Sequence, residues 1–283
     1  MMYYLMLLGA AALFSMQFFF QKRFEREYGT DIKSTVVFSV ITGFMMTLVG
    51  FIFAKFKIQV TPFALCVAAV HGLSSFCFTY FGLKSMHIAN LSVYSVFSML
   101  GGMLLPVFYG LFFIGEKLTL PKLICCILVI VSVMCTINGK NGQKKAWFYY
   151  MAVFVANGLT GVCAAVHDHY TDMKVDSYSY MFWATFFLMV AGLVCFPFIK
   201  GKKRNVSKRA FLDLTGFSIC SGIGNIILVV ALIYLPATLQ FPFSTGAAVV
   251  FSAIITLITR DKMTKGEIVS VFIALAATVC MVF

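Results

Sequence analysis

The sequence predicts an all-α integral membrane protein with ten transmembrane helices. Of its 283 residues, 61% are hydrophobic and only 11% are charged. The chain reads as ten apolar segments with short charged breaks between them, and a helix needs about 20 apolar residues to cross a hydrocarbon core roughly 30 Å thick. Almost nothing remains outside these segments, so a soluble catalytic domain is excluded.

The positions of the ten helices follow from the apolar runs and the charged residues between them. They are predicted near 3–21, 34–54, 62–83, 90–114, 118–138, 147–167, 178–199, 210–234, 239–259 and 267–283. The first segment lacks the basic start and the small-residue cleavage site of a signal peptide, and Gln21-Lys22-Arg23 follows it. We therefore expect it to remain as the first helix.

The basic residues are distributed unevenly between the two sides of the membrane. Loops after odd-numbered helices carry 17 of the 22 Lys and Arg residues. Cytoplasmic loops are the ones enriched in Lys and Arg, so the tally predicts that both termini are external and that the protein lies in the cell membrane. The net charge of +12 is concentrated in runs such as 200–204, which favour anionic lipid headgroups, not nucleic acid, as the partner.

The nine cysteines indicate neither a disulfide framework nor a metal site. All of them fall inside apolar segments, and no group of Cys and His has the spacing of zinc ligands. We interpret them as small apolar side chains, and we expect no metal and no cofactor.

The two halves of the chain match weakly when one is slid over the other. Residues 63–91 lie over residues 211–239 without a gap, and 116–119 lie over 261–264, again between two helices. Five helices per half is an odd number, so the second half must cross the membrane in the opposite direction. The prediction is two inverted five-helix repeats, 1–138 and 146–283, an arrangement typical of transporters with a site at the repeat interface.

The turn Gly115-Glu116-Lys117-Leu118-Thr119 carries a resemblance to a known family. With Ser98, Gly102 and Pro106 in the preceding helix, it resembles the EamA-type, ten-helix members of the drug/metabolite transporter superfamily. That resemblance implies inverted repeats, alternating access and a cavity lined by helices 3, 4, 8 and 9 with help from 1 and 6. It also implies a small organic substrate, such as an amino acid, a nucleoside or a quaternary amine, and both termini in the cytoplasm, against the charge tally.

Polar side chains within the apolar segments are the candidates for the substrate site. His71, Ser75 and Thr79 recur every four residues and so share one helix face. Asn225 and Gln240 lie in the eighth and ninth segments, and Gln17 and Asn157 in the first and sixth. Intramembrane polar groups usually face protein or a water-filled cavity, so His71, Ser75, Asn225 and Gln240 are predicted to bind substrate, although each also has a purely structural interpretation.

Tyr94 and Phe243 are the predicted stacking partners of the substrate, because aromatic rings can stack or hold a cation. With 32 Phe residues in the chain, most rings are expected only to pack. Ser98, Gly102 and Pro106 repeat every four residues, and small residues at that spacing favour close helix contact over binding. Glu116 and Asp261 are interpreted as helix-end or loop partners of nearby lysines.

The acidic residues all lie in loops or at helix ends, so the first helix offers no membrane-embedded carboxylate. This disfavours a proton-driven drug pump of the small multidrug-resistance kind. His71 is the candidate for proton coupling, because histidine titrates near neutral pH.

Transport is the function that these patterns favour, and the alternative is a membrane scaffold or accessory subunit that does not transport. A scaffold has no reason to carry the cost of His71, Asn225 and Gln240 within the membrane. An intramembrane enzyme would need an acidic or nucleophilic partner beside His71, and the sequence shows none, so no enzyme activity is expected.

Overall fold

A computed structural model describes residues 2–88, 91–117, 119–136, 144–199, 206–258 and 265–280. These residues form ten α-helices and no β-strand. The helices are α1 Met2–Tyr28, α2 Ile32–Phe53, α3 Pro62–Ile88, α4 Leu91–Tyr109, α5 Leu120–Thr136, α6 Lys144–His169, α7 Ser177–Cys195, α8 Lys208–Leu232, α9 Ala237–Ile258 and α10 Lys265–Cys280. A π-helical turn, Gly110–Ile114, continues α4, and a 3₁₀ turn, Phe196–Phe198, continues α7.

The helices are those of a membrane protein. Within the described residues, seven segments are long and apolar enough to cross a bilayer, in α1, α2, α3, α4 with its π-helical turn, α6, α7 and α8. Large apolar side chains such as Phe112, Phe113 and Phe272 are exposed on the outside of the bundle, as expected of a surface that faces lipid. The chain is an all-α, multi-pass membrane protein.

The first helix runs one to two turns beyond its predicted end near residue 21 and finishes at Tyr28. Lys22 and Arg23 therefore lie on the last turns of the helix and not in a loop. Their charges are compensated there: Lys22 Nζ lies 3.1 Å from Glu25, and Arg23 Nε lies 3.1 Å from the buried Asp213 at the start of α8. The sequence prediction ended the helix too early because it took these charges as a break.

Side-chain caps explain where three helices begin. Ser34 N donates to Asp31 Oδ1 at 3.0 Å at the start of α2, and Tyr178 N and Ser179 N donate to Asp176 Oδ1 at the start of α7. Ser207 accepts from Ala210 N at the start of α8. Such caps satisfy N–H groups that have no partner within the helix.

The helices pack in pairs that join the first half of the chain to the second. α1 packs on α8 and α9, α6 packs on α3 and α4, and α2 packs on α7. α5 and α10 pack on each other and on α9. The ends of the predicted repeats at 138 and 283, the position Asp261 and the basic run 200–204 lie outside the described residues.

Small residues allow α4 and α6 to approach closely. A Cβ atom on Gly101 would overlap the Phe154 carbonyl oxygen, and one on Gly102 would lie 2.8 Å from Asn157 Nδ2. Gly161 on α6 would place its Cβ 2.5 Å from the Pro106 ring. The face that carries Ser98, Gly102 and Pro106 is thus the contact face with α6, as its spacing predicts.

Candidate functional site

A cavity of about 160 Å³ lies inside the helix bundle. Its lining comes from eight helices, α1 to α4 and α6 to α9, and includes nine hydroxyl side chains, three amides, one histidine and six phenylalanine rings. α5 and α10 contribute no lining residue. A concave space at a multi-helix interface with convergent polar groups is the usual form of a ligand site.

One wall of the cavity is the face of α3 that the sequence predicted. His71, Ser75 and Thr79 all belong to the lining, together with Phe78. The Thr79 hydroxyl donates to the Ser75 carbonyl oxygen at 3.0 Å. The four-residue spacing therefore places the three polar groups on the same surface, as the helix period requires.

The buried His71 has a buried partner behind the cavity. Its Nδ1 shares a hydrogen bond with the Tyr180 hydroxyl at 2.9 Å. The Tyr180 ring, which is fully buried, stacks on His167 with ring centroids 4.1 Å apart, and Val175 N donates to His167 Nε2 at 3.2 Å. His71 is thus the cavity end of a chain of ring contacts that leads toward the α6–α7 connection.

Asn225, on α8, lines another part of the cavity wall. Its Nδ2 donates to the Ser221 carbonyl oxygen at 2.8 Å and lies 3.2 Å from the Ser221 hydroxyl, one turn earlier. Both side chains belong to the lining. The sequence prediction placed Asn225 here correctly.

The contact between α4 and α6 also forms part of the wall. Asn157 Nδ2 donates to the Ser98 carbonyl oxygen at 2.7 Å, across from Gly102. All three residues line the cavity. Ser98 and Gly102 therefore serve both the helix contact and the cavity surface.

Gln17 on α1 is a lining residue that the sequence analysis named as an intramembrane amide but did not predict to bind substrate. It is 8% exposed, and its Oε1 has no hydrogen-bond partner in the protein. A buried acceptor without a partner costs roughly 1–3 kcal/mol. An isolated amide in an otherwise apolar helix was the signal that could have identified it.

Gln240 does not lie on the cavity wall. It is fully buried on α9, and its Nε2 donates to the Leu228 carbonyl oxygen of α8 at 2.7 Å. The α9 lining residues are Phe241, Ser244, Thr245 and Ala248. Gln240 directly precedes Phe241, but its side chain bonds to α8 and not to the cavity surface, so the prediction that it lines the cavity was wrong.

The predicted stacking residues also lie outside the lining. Tyr94 is fully buried behind Phe18 and Phe78, and its hydroxyl donates to Gln21 Oε1 at 3.2 Å. Phe243 contacts Tyr4 with ring centroids 5.3 Å apart, because two residues along a helix point about 200° away from Phe241. Phe18 and Phe78 are the rings that face the cavity in place of Tyr94.

α2 and α7 supply part of the wall that sequence reasoning did not assign to them. Thr42 and Thr185 both line the cavity, on helices that pack closely where Gly43 meets the Met189 backbone. Neither threonine differs from the many hydroxyls in other apolar segments. No signal in one sequence separates them from packing residues.

The described lining of the cavity carries no formal charge when His71 is neutral. Within the part of the chain that the structure describes, the lining contains no Asp, Glu, Lys or Arg side chain. The ion pairs of the described residues lie near helix ends, such as Lys174 with Asp168 at 2.8 Å. A search of the described residues finds no group of His, Cys, Asp and Glu that could hold a metal ion.

Comparison with known proteins supports the fold and gives no family. No family model matches the sequence, and no curated protein matches it. Among solved structures, 29 chains match. One, described only as "Crystal structure of protein", superposes with a TM-score of 0.73 at 13% identity, over 98% of this chain and 94% of that chain. The two chains share a fold. At this identity, the likeness carries no statement about activity.

Proposed function

We propose that the protein is a secondary transporter that moves a small organic metabolite across the cell membrane by alternating access. The observation that carries this proposal is the cavity of about 160 Å³ between eight helices, with twelve hydroxyl and amide groups and one histidine on its wall. Polar side chains at membrane depth are costly and usually mark a pathway for a solute. The resemblance to EamA-type transporters points to the same function.

The proposed architecture is ten transmembrane helices in two inverted five-helix repeats. The helix contacts support this, because they keep their pattern when the two halves are exchanged. When each helix is replaced by its counterpart in the other half, five positions away in chain order, the α1–α8 contact corresponds to the α6–α3 contact, and α1–α9 corresponds to α6–α4. The α2–α7 contact corresponds to itself. A two-fold axis in the membrane plane produces this pattern, and the substrate site of such transporters lies near that axis.

The proposed orientation has both termini outside. Lys22 Nζ donates to the Met86 carbonyl oxygen at 2.7 Å, and Arg23 pairs with Asp213. The ends of α1 and α3 and the start of α8 therefore meet at one face of the bundle, and that face carries basic residues. In this proposal it faces the cytoplasm and anionic lipid headgroups.

The cavity also bears on the alternative of a scaffold without transport. A scaffold gains nothing from a polar-lined cavity between its helices, and the unpartnered Gln17 Oε1 would lower its stability. We propose no enzymatic role, since the partner of His71 is the Tyr180 hydroxyl, and the lining contains no carboxylate.

Flux into liposomes tests the proposal. The purified protein is reconstituted, and uptake of radiolabelled solutes is measured against protein-free vesicles and against the Asn225→Ala variant. We expect at least one small solute to enter faster with the wild-type protein than with either control. If a broad panel of neutral, zwitterionic and cationic solutes moves no faster than in protein-free vesicles, the transport proposal fails.

A further inference from the structure

The hydroxyl groups of the cavity have largely used their hydrogens within the protein. Five of them donate to a backbone carbonyl of their own helix at 2.7–3.1 Å, namely Thr42, Thr79, Thr160, Thr185 and Ser244. A hydroxyl that has donated its one hydrogen can still accept hydrogen bonds with its oxygen. These groups therefore offer acceptors to a ligand.

The two asparagines of the lining also use their donors within the protein and leave an acceptor for a ligand. Asn225 Nδ2 donates to the Ser221 carbonyl oxygen, and Asn157 Nδ2 donates to the Ser98 carbonyl oxygen. Each side chain thus uses its N–H donors on the protein and leaves its Oδ1 as an acceptor.

Gln17 adds an acceptor with no partner at all. Its Oε1 makes no hydrogen bond in the protein, although the side chain is 8% exposed and lines the cavity. An unpaired buried acceptor is unfavourable, so a donor from a bound solute would stabilise this part of the wall.

The lining lacks the groups that an acidic solute needs. A carboxylate or phosphate is bound through Arg, Lys or several free N–H donors, and no Arg or Lys side chain among the described residues lines the cavity. Removing such an anion from water without these partners costs several kcal/mol. The site therefore disfavours acidic groups relative to neutral or basic ones.

The volume and the rings limit the size and shape of the solute. An engineered apolar cavity of about 150 Å³ accommodates benzene, and this cavity measures about 160 Å³. Six phenylalanine rings line it. One planar ring with a small substituent fits these dimensions.

We propose that the transported solute is a single-ring compound that donates N–H hydrogen bonds, through a carboxamide or an amine, and carries no acidic group. This proposal rests on the proposed transport function and deepens it. A neutral carboxamide and a protonated amine both donate N–H hydrogen bonds to the amide and hydroxyl oxygens. The phenylalanine rings can pack against the ring of either solute.

Matched pairs of solutes test the proposal by equilibrium binding to the purified protein. Nicotinamide is compared with nicotinate, and phenethylamine with phenylalanine, since the second member of each pair introduces a carboxylate. We expect the member without a carboxylate to bind in at least one pair, and its acidic partner to bind at least about tenfold more weakly. The pair that shows binding distinguishes a neutral carboxamide from a protonated amine. Equal affinities within both pairs, tighter binding of an acid, or no binding of nicotinamide and phenethylamine overturns the proposal.

Two glutamines of α1 provide matched variants. Gln17 and Gln21 lie one turn apart and are both buried, but only Gln17 belongs to the lining. Gln17→Leu is expected to weaken binding of the donor solute about tenfold, the effect of one lost hydrogen bond. Gln21→Leu should leave the affinity of the folded protein unchanged. If Gln17→Leu binds as tightly as the wild type, the donor-to-Gln17 contact is refuted.

Flux measurements separate this inference from the proposed function. Nicotinamide or phenethylamine that binds but does not cross the membrane supports the solute class and contradicts transport. Uptake of nicotinate or phenylalanine without binding of nicotinamide or phenethylamine supports transport and contradicts the solute class.

Discussion

The carboxylate of Glu116 caps the helix that begins beside Thr238. Its Oε2 accepts from Thr238 N at 3.0 Å and from the Thr238 hydroxyl at 2.6 Å, and its Oε1 accepts from Ala237 N at 3.1 Å. The sequence interpretation placed Glu116 at a helix end or in a loop beside lysines, and the structure shows that the helix end it contacts is the start of α9. The side chain follows α4 and its π-helical turn but stabilises the start of α9, so it connects the two halves of the chain.

Replacement of Glu116 by Ala should lower the stability of the protein. It removes three hydrogen bonds and a negative charge beside a helix N-terminus, and caps of this kind are worth about 0.5–2 kcal/mol. Chemical unfolding in detergent measures the change. Thr238→Val removes only the hydroxyl bond and should cost less. Equal stability of wild type and Glu116→Ala would show that the cap contributes nothing.

Replacement of Gly101 by Ala should destabilise the fold, because the new Cβ would overlap the Phe154 carbonyl oxygen. Overpacking of this kind costs about 1–3 kcal/mol. Gly9→Ala is the control, since nothing lies within 4 Å of a Cβ at that position. Gly102→Leu should be more damaging than Gly101→Ala. Melting temperatures of the purified variants that do not follow this order would contradict the close α4–α6 contact.

Replacement of Asn225 by Ala should reduce transport and leave the melting temperature nearly unchanged. Asn225 is only partly buried, and its protein partner is the Ser221 carbonyl of its own helix. Gln240→Ala should instead lower the melting temperature and leave transport nearly unchanged, because Gln240 is fully buried and bonds to Leu228 across the α8–α9 contact. Uptake rates and melting temperatures are measured on both variants. A loss of stability in Asn225→Ala as large as in Gln240→Ala would refute the distinction.

Replacement of His71 by Gln tests proton coupling. Gln keeps a hydrogen-bonding group near the Tyr180 hydroxyl but does not titrate, so stimulation of uptake by a pH gradient should disappear while binding remains. Tyr180→Phe, which removes the partner and keeps His71, should retain part of that stimulation. If His71→Gln keeps its full response to the gradient, His71 is structural.

The orientation is tested by labelling intact cells. A cysteine at Asn205 should resist a membrane-impermeant reagent, and a reporter after Phe283 should behave as external. Both positions lie outside the described residues, and the expectation comes from the charge asymmetry alone. Ready labelling at Asn205 would reverse the orientation and place both termini in the cytoplasm.

The sequence predicted the class and the helices well, because membrane thickness fixes the length of an apolar segment. It also placed His71, Ser75 and Asn225 at the cavity, since their helix faces are polar within apolar surroundings. It failed for Tyr94, Gln240 and Phe243 because the side toward which a buried side chain turns depends on neighbouring helices. Gln240 faces the Leu228 carbonyl, a partner twelve residues away that helix periodicity alone does not select.

The glycine contact between α4 and α6 has a consequence for motion. Helices whose backbones touch without intervening side chains cannot tilt or slide past each other without losing that contact, so α4 and α6 move together although they belong to different halves of the chain. α3 also packs on α6, and α1 packs on α8 and α9. For the transport cycle that we propose, this packing predicts two moving groups of helices, α3-α4-α6 and α1-α8-α9, each of which combines helices from both halves of the polypeptide.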